Sequence, residues 1–127
     1  MKVLVFGTFD HFHPGHQFVL QEAKKRGEVF IVVARDANVM RIKVRPPDES
    51  ENDRMSTVQK NVHEAHVLLG DPEDFLVPVR SIQPDLILLG YDQRLPPGVQ
   101  ESDLPCTVER LPGFKPDKYK SSLMRGS

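Results

Sequence analysis

The sequence predicts an α/β domain built on a doubly wound sheet of five parallel strands, a single domain spanning residues 1–127. Three observations carry this. Short apolar runs alternate with segments whose apolar residues recur at helical spacing. The runs are continuous rather than alternating, as strands covered on both faces require. The first twenty residues read as strand, glycine-bearing turn and helix, the start of a strand–helix–strand unit.

The elements follow in order. Strand one covers residues 2–6 and ends at Gly7. After Pro14 the period changes: His16, Val19, Leu20 and Ala23 fall at i, i+3, i+4 and i+7. That helix runs from about residue 14 to residue 26, with Pro14 in its first turn and Gly27 closing it. A second run, 29–34, leaves the sheet at Arg35-Asp36. A short helix over 37–42 precedes a polar, proline-bearing loop over 43–49. Ser50-Glu51-Asn52-Asp53 reads as a capping box for a helix with Met55, Val58 and Val62 inward. Residues 66–69 form strand three, ended by Gly70. Asp71-Pro72 opens a helix with Phe75, Val79 and Ile82 inward, and Pro78 is expected to kink or interrupt it. Strand four is 86–89, followed by Gly90; 95–105 is loop with at most a short helix; 106–111 is strand five. Residues 112–118 are loop, and 121–125 begin a final helix.

Composition narrows the function. With 17 basic against 18 acidic residues, the basic excess of a sequence-independent nucleic-acid binder is missing. The single cysteine, Cys106, excludes an internal disulfide framework, points to a reducing compartment and reads as core packing. No apolar run approaches the ~20 residues of a membrane span. The N-terminal run reads as a strand, not a signal peptide. A cytoplasmic protein with neither membrane nor nucleic acid as partner is expected.

The strand–turn–helix at 1–20 aims helix N-terminal N–H groups out of the carboxyl end of the sheet, where an anion fits. It puts His13 and His16 one turn apart on one side. Two imidazoles there can donate hydrogen bonds to charge developing on a phosphoryl oxygen. The competing reading is zinc held by His11, His13 and His16, with no cysteine nearby. His63 and His66, in HEAH, fall one residue short of the HExxH spacing of metalloproteases.

Gly7-Thr8-Phe9-Asp10 followed by His13-Pro14-Gly15-His16 resembles the GTFD and HxGH motif of the nucleotidyltransferase superfamily. Its members include cytidylyltransferases, pantetheine-phosphate adenylyltransferase and FAD synthetases. The resemblance spans residues 1–125 and implies a Rossmann-like sheet of order 3-2-1-4-5. Strands one and four would then flank the topological switch, where such sheets bind ligands. The two most distinctive post-strand stretches, 7–16 and 90–93, follow those two strands.

The same resemblance implies roles. His13 and His16 would stabilise the transition state, while Lys43, in Arg41-Ile42-Lys43-Val44-Arg45, and Arg125 neutralise phosphate charge. Gly7, Thr8, Phe9, Asp10, Gly15, Gly90, Asp92, Ser121 and Ser122 would bind the nucleotide, and Asp36 and Arg54 the acceptor. Blander readings stand beside these. Thr8 is also a turn threonine; Asp10 caps its turn or holds a water of Mg²⁺; Lys43 is also a solvated loop lysine; Arg54 also suits a surface ion pair.

Mg²⁺ is the expected cofactor, shielding the triphosphate, with no dedicated protein metal site. Tyr119-Lys120-Ser121-Ser122-Leu123-Met124-Arg125 resembles the family's (I)S(S/T)TxxR signature, with Lys120 where a hydroxyl residue often stands. Gly90-Tyr91-Asp92-Gln93, with Ala34-Arg35-Asp36 and Lys43, resembles archaeal-type FAD synthetases. This tilts the expected substrates to ATP and FMN. The alternatives are a cytidylyltransferase using CTP and glycerol 3-phosphate or another alcohol or sugar phosphate, and a non-catalytic nucleotide sensor. By analogy with the family, a homodimer is expected.

Overall fold

The computed structural model describes residues 1–43, 45–91, 93, 95 and 99–112, with 41–43 as backbone. Its elements are β1 (Lys2–Gly7), α1 (Pro14–Arg26), β2 (Glu28–Val33), α2 (Asp36–Lys43), α3 (Glu51–Asn61), β3 (His66–Leu69), α4 (Leu76–Ile82), β4 (Leu86–Leu89), a 3₁₀ turn (Glu101–Asp103) and β5 (Thr107–Arg110). The five strands form one sheet in the order β3-β2-β1-β4-β5, and every pairing is parallel. This is the Rossmann-like order that the resemblance implied.

The central strand explains the two layers. Side chains alternate across β1, so Val3 and Val5 face one side and Leu4 and Phe6 the other. Val3 and Val5 pack with Leu20 and Ala23 of α1 and Val58 of α3. Leu4 and Phe6 pack with Val79 and Ile82 of α4. Apolar burial on both faces is why the strands read as unbroken apolar runs. Cys106, half-buried against the second cluster, has its thiol pKa pushed up by burial, consistent with packing rather than reactivity.

Two registers matter for the site. β1 and β2 pair along their whole length, from Lys2↔Glu28 to Gly7↔Val33. β1 and β4 pair at Val3↔Leu86 and Leu4↔Ile87, and their ladder ends there although β1 continues to Gly7 and β4 to Leu89. The sheet therefore opens at the carboxyl ends of its two central strands.

The segment after β3 differs from expectation. Asp71 does not open a helix; its Oδ1 accepts from the N–H groups of Glu73 and Asp74, both at 2.8 Å, and holds a turn. α4 starts only at Leu76, after Asp74 Oδ1 has accepted from the Leu76 N–H. Pro78 thus falls in the first turn, where a helix has no acceptor for the missing N–H. It neither kinks nor interrupts α4. Residues 113–118 and the expected final helix at 121–125 lie outside the described residues. Among the described residues, no helix is long and apolar enough to cross a membrane.

Candidate active site

The turn after β1 is built around two left-handed residues that are not glycine, Phe9 at φ 57° and His11 at φ 52°. Such backbone costs roughly 1 kcal/mol or more per residue and persists only where surrounding contacts hold it. At Phe9 the contact is hydrophobic. The turn swings its ring inward until the residue is 4% exposed. The ring lies over Gly7, where an added Cβ would sit 3.3 Å from it. Phe9, expected to bind nucleotide, can therefore offer a ligand only its main chain.

His13 is the N-cap of α1, extended at φ −141° and ψ 173°. Its Nδ1 accepts from the Gly15 N–H at 3.1 Å. The Nδ1 of His16 in turn accepts from the His13 N–H at 3.4 Å. An imidazole whose Nδ1 accepts carries its proton on Nε2. Capping thus makes both rings Nε2–H donors. The two rings stack with centroids 3.9 Å apart. His16 is also packed against Phe9 at 5.3 Å and Phe12 at 5.5 Å, so three rings fix its orientation. No acidic residue occupies the first turn of α1, whose last turn carries Lys24, Lys25 and Arg26. With no carboxylate in that first turn, the helix dipole adds uncompensated positive potential there.

A second loop is fastened onto this turn. Asp10 accepts from the Asp48 N–H through Oδ2 at 2.9 Å and from the Glu49 N–H through Oδ1 at 3.1 Å. In return, the His11 N–H donates to Glu49 Oε1 at 2.9 Å, and His11 Nε2 lies 2.6 Å from Asp48 Oδ2. That last bond raises the His11 pKa from its usual 6.5 and lowers the Asp48 carboxyl below its ordinary range. Behind the clasp sits Arg54, fully buried. Its Nε donates to Glu49 O at 3.0 Å, its Nη1 to Thr8 O at 2.8 Å and its Nη2 to Asp36 Oδ1 at 2.6 Å. Arg54 was expected to meet an acceptor. Its burial and its three committed nitrogens leave it an indirect role, joining the turn, the loop and the start of α2.

Asp36 stands at that start, its side chain 44% exposed beside Arg54. Its N–H donates to Glu51 Oε1, and Glu51 also takes Arg35, whose Nε reaches Gly70 O at 2.7 Å. Lys43 is the last residue of α2. The helix is therefore tied to the turn at its first residue.

Across the crevice, Gly90 follows β4. The Gln93 carboxamide bridges it to β1, accepting from the Gly90 N–H at 3.0 Å and donating to Phe6 O at 2.5 Å. Arg110 of β5 donates through Nη1 to Gly90 O at 3.2 Å and to Gln93 O. Gly7, Thr8, Asp10, His13, Gly15 and His16 thus fall on the continuous stretch from the end of β1 to the first turn of α1, with Asp36 and Arg54 behind it and Gly90 at the next strand end. Asp92, Ser121, Ser122 and Arg125 lie outside the described residues. Sequence reasoning missed the structural parts played by Glu49, Glu51, Gln93 and Arg110. Only Gln93 carried a signal, in the Gly90-Tyr91-Asp92-Gln93 stretch.

Asp10, His11 and Asp48 each bring a ligand atom within 4.8 Å of the others, a group able to hold a metal ion. It suits a resident Mg²⁺ poorly. Both Asp10 oxygens already accept backbone N–H bonds, Asp48 is engaged by His11, and an imidazole is a softer ligand than Mg²⁺ prefers.

A doubly wound parallel sheet whose central strands part beside a histidine-bearing helix start offers a crevice at the topological switch, where α/β proteins of this architecture bind their ligands. More narrowly, residues 4–120 match the Cytidylyltransferase-like family; the chain belongs to it and is a nucleotidyltransferase. It is 41% identical over 119 residues to the FAD synthase of Methanosarcina mazei, covering 87% of this chain and 76% of that one. It is 40% identical over 120 residues to the FAD synthase of Methanosphaerula palustris, covering 89% and 76%. Among solved structures, a lipopolysaccharide core biosynthesis protein from Thermoplasma volcanium GSS1 superposes with TM-score 0.78 at 30% identity, covering 91% of this chain and 98% of that one.

Proposed function

We propose that this nucleotidyltransferase is an FMN adenylyltransferase: a phosphate oxygen of FMN attacks the α-phosphorus of ATP, the bond to the β-phosphate oxygen breaks, and FAD and pyrophosphate form. The observation that carries the proposal is the pair of Nε2–H donors of His13 and His16, fixed by the capping bonds at the start of α1. Donors held in place before the reaction stabilise charge developing on the α-phosphate without reorganising. The relatives' names support FMN as acceptor and ATP as donor.

In this reading the main chain of Gly7, Thr8, Phe9 and Gly15 lines the phosphate bed, and Gly90 and Asp92 meet the nucleoside. Lys43 and Arg125 neutralise phosphate charge, and Ser121 and Ser122 hold the β- and γ-phosphates. Asp36 faces the acceptor; Asp10 and Arg54 position the turn and act through it. Mg²⁺ enters bound to the triphosphate as part of the substrate, which agrees with the poor fit of the Asp10, His11 and Asp48 group to a resident Mg²⁺. No side chain acts as nucleophile, so catalysis is positioning plus electrostatics. The family resemblance supports a cytoplasmic homodimer, which sedimentation equilibrium tests for assembly.

The test is a matrix of the four nucleoside triphosphates against FMN, glycerol 3-phosphate, phosphocholine, sugar phosphates and phosphopantetheine, read by pyrophosphate release. ATP with FMN is expected to give the highest turnover. CTP with glycerol 3-phosphate as the best pair would replace this substrate assignment, and nucleotide binding without turnover for any pair would make the protein a sensor.

A further inference from the structure

The end of the β1–β4 ladder leaves two main-chain groups facing each other across a gap: the carbonyl of Phe6 and the N–H of Gly90. A primary carboxamide offers the same donor and acceptor pair as a peptide group. The Gln93 side chain uses both, its Nε2 on Phe6 O at 2.5 Å and its Oε1 on the Gly90 N–H at 3.0 Å. It replaces a missing rung of the ladder. Two strands joined this way stand further apart than two strands bonded directly, because two hydrogen bonds and a carboxamide lie between them.

The strut is itself anchored. The Gln93 N–H donates back to Gly90 O at 3.2 Å and closes a turn. Arg110 of β5 then grips the carbonyls of both ends of that turn. On the other side, a Cβ at Gly90 would lie 3.7 Å from Val19 of α1, one turn beyond His16. Gly90, one end of the strut, therefore lies close to the helix that carries the histidines.

We propose that Gln93 is a positioning residue of the transferase, whose carboxamide sets the separation of β1 and β4 and so the width of the floor under the nucleoside of the donor. This rests on the proposed placement of the donor nucleotide at the β1–β4 switch. It assigns Gln93 no contact with the reacting atoms. Its loss should weaken donor binding and leave the acceptor side, held by the Asp10–Glu49 and Arg54 bonds, unaltered.

The test compares wild type with Gln93→Met, which keeps length and loses both bonds, and Gln93→Glu, which sets an oxygen against Phe6 O. ATP binding is measured calorimetrically with Mg²⁺ and no acceptor, and KM is measured for ATP and FMN. A misplacement of about 1 Å in such a site costs up to ~10²-fold, so the ATP Kd and KM are expected to rise about tenfold or more in both variants. KM for FMN should stay within about twofold of wild type. A folded Gln93→Met protein with wild-type ATP affinity overturns the inference, as does an equal rise in both KM values. Wild-type protein that binds no ATP overturns the donor placement and this inference with it. Should Gln93→Met fail to fold, Arg110→Ala, which frees the base of the strut, should raise the ATP KM about threefold and spare that for FMN; an unmoved ATP KM overturns the inference.

Discussion

Replacing Arg54 by methionine keeps the buried stem and removes the guanidinium that joins three segments. Two carbonyls, Thr8 O and Glu49 O, lose donors inside a site where Arg54 is 0% exposed. Each costs about 1 kcal/mol. The Asp36 carboxylate also loses its partner, but its side chain is 44% exposed, so water limits that loss to roughly 1–2 kcal/mol. The total is about 3 kcal/mol, or on the order of 10 °C in Tm for a domain of this size. Arg54→Lys should recover less than half, because an ammonium cannot reach all three acceptors in the geometry of a planar fork. Urea unfolding of the three proteins measures this. A loss below about 1 kcal/mol for Arg54→Met, the value of an exposed ion pair, would refute the keystone role and restore the surface-pair reading.

Two further predictions concern ion pairs. His11 holds its proton more tightly in the folded protein, so its bond to Asp48 is complete below pH 6.5 and is lost as pH rises through the raised value. At the acid end the same bond is lost as pH falls through the lowered Asp48 value. An NMR titration should give His11 a midpoint above 6.5 that moves down in Asp48→Asn; an unmoved midpoint would contradict the clasp. Arg26 grips Glu109 with two bonds, at 3.0 and 2.8 Å, and holds its carboxyl below the usual range. Glu109→Gln should cost about 0.5–1 kcal/mol at neutral pH, a difference that fades in acid as wild-type Glu109 is protonated. Denaturation midpoints at neutral pH and about pH 3 check the sign.

Most of the sheet was legible because burial on both faces writes continuous apolar runs, and the turn was legible because glycine, proline and two histidines mark it. Legibility failed where side chains bond to main chain. Asp71 accepts from the Glu73 and Asp74 N–H groups as an N-cap would, so Asp71-Pro72 carries a helix-start signature, yet the bonds close a turn and α4 begins only at Leu76. Arg54 answers to a carbonyl 46 residues away and Gln93 to one 87 residues away. Every residue has a carbonyl, so no pattern of residue types announces such a bond. The same arginine looks like a surface ion pair in sequence and is fully buried in the fold. The sheet order, too, came from resemblance, since alternation alone does not say which strands are neighbours.

The claim on which the account rests is that the imidazoles capping α1 act on the phosphate of a bound nucleotide. Pyrophosphate release by a folded His16→Ala protein, with ATP and FMN saturating, tests it most directly. Loss of one preorganised donor should lower kcat by about 10²–10³-fold. Turnover at the wild-type rate would contradict it.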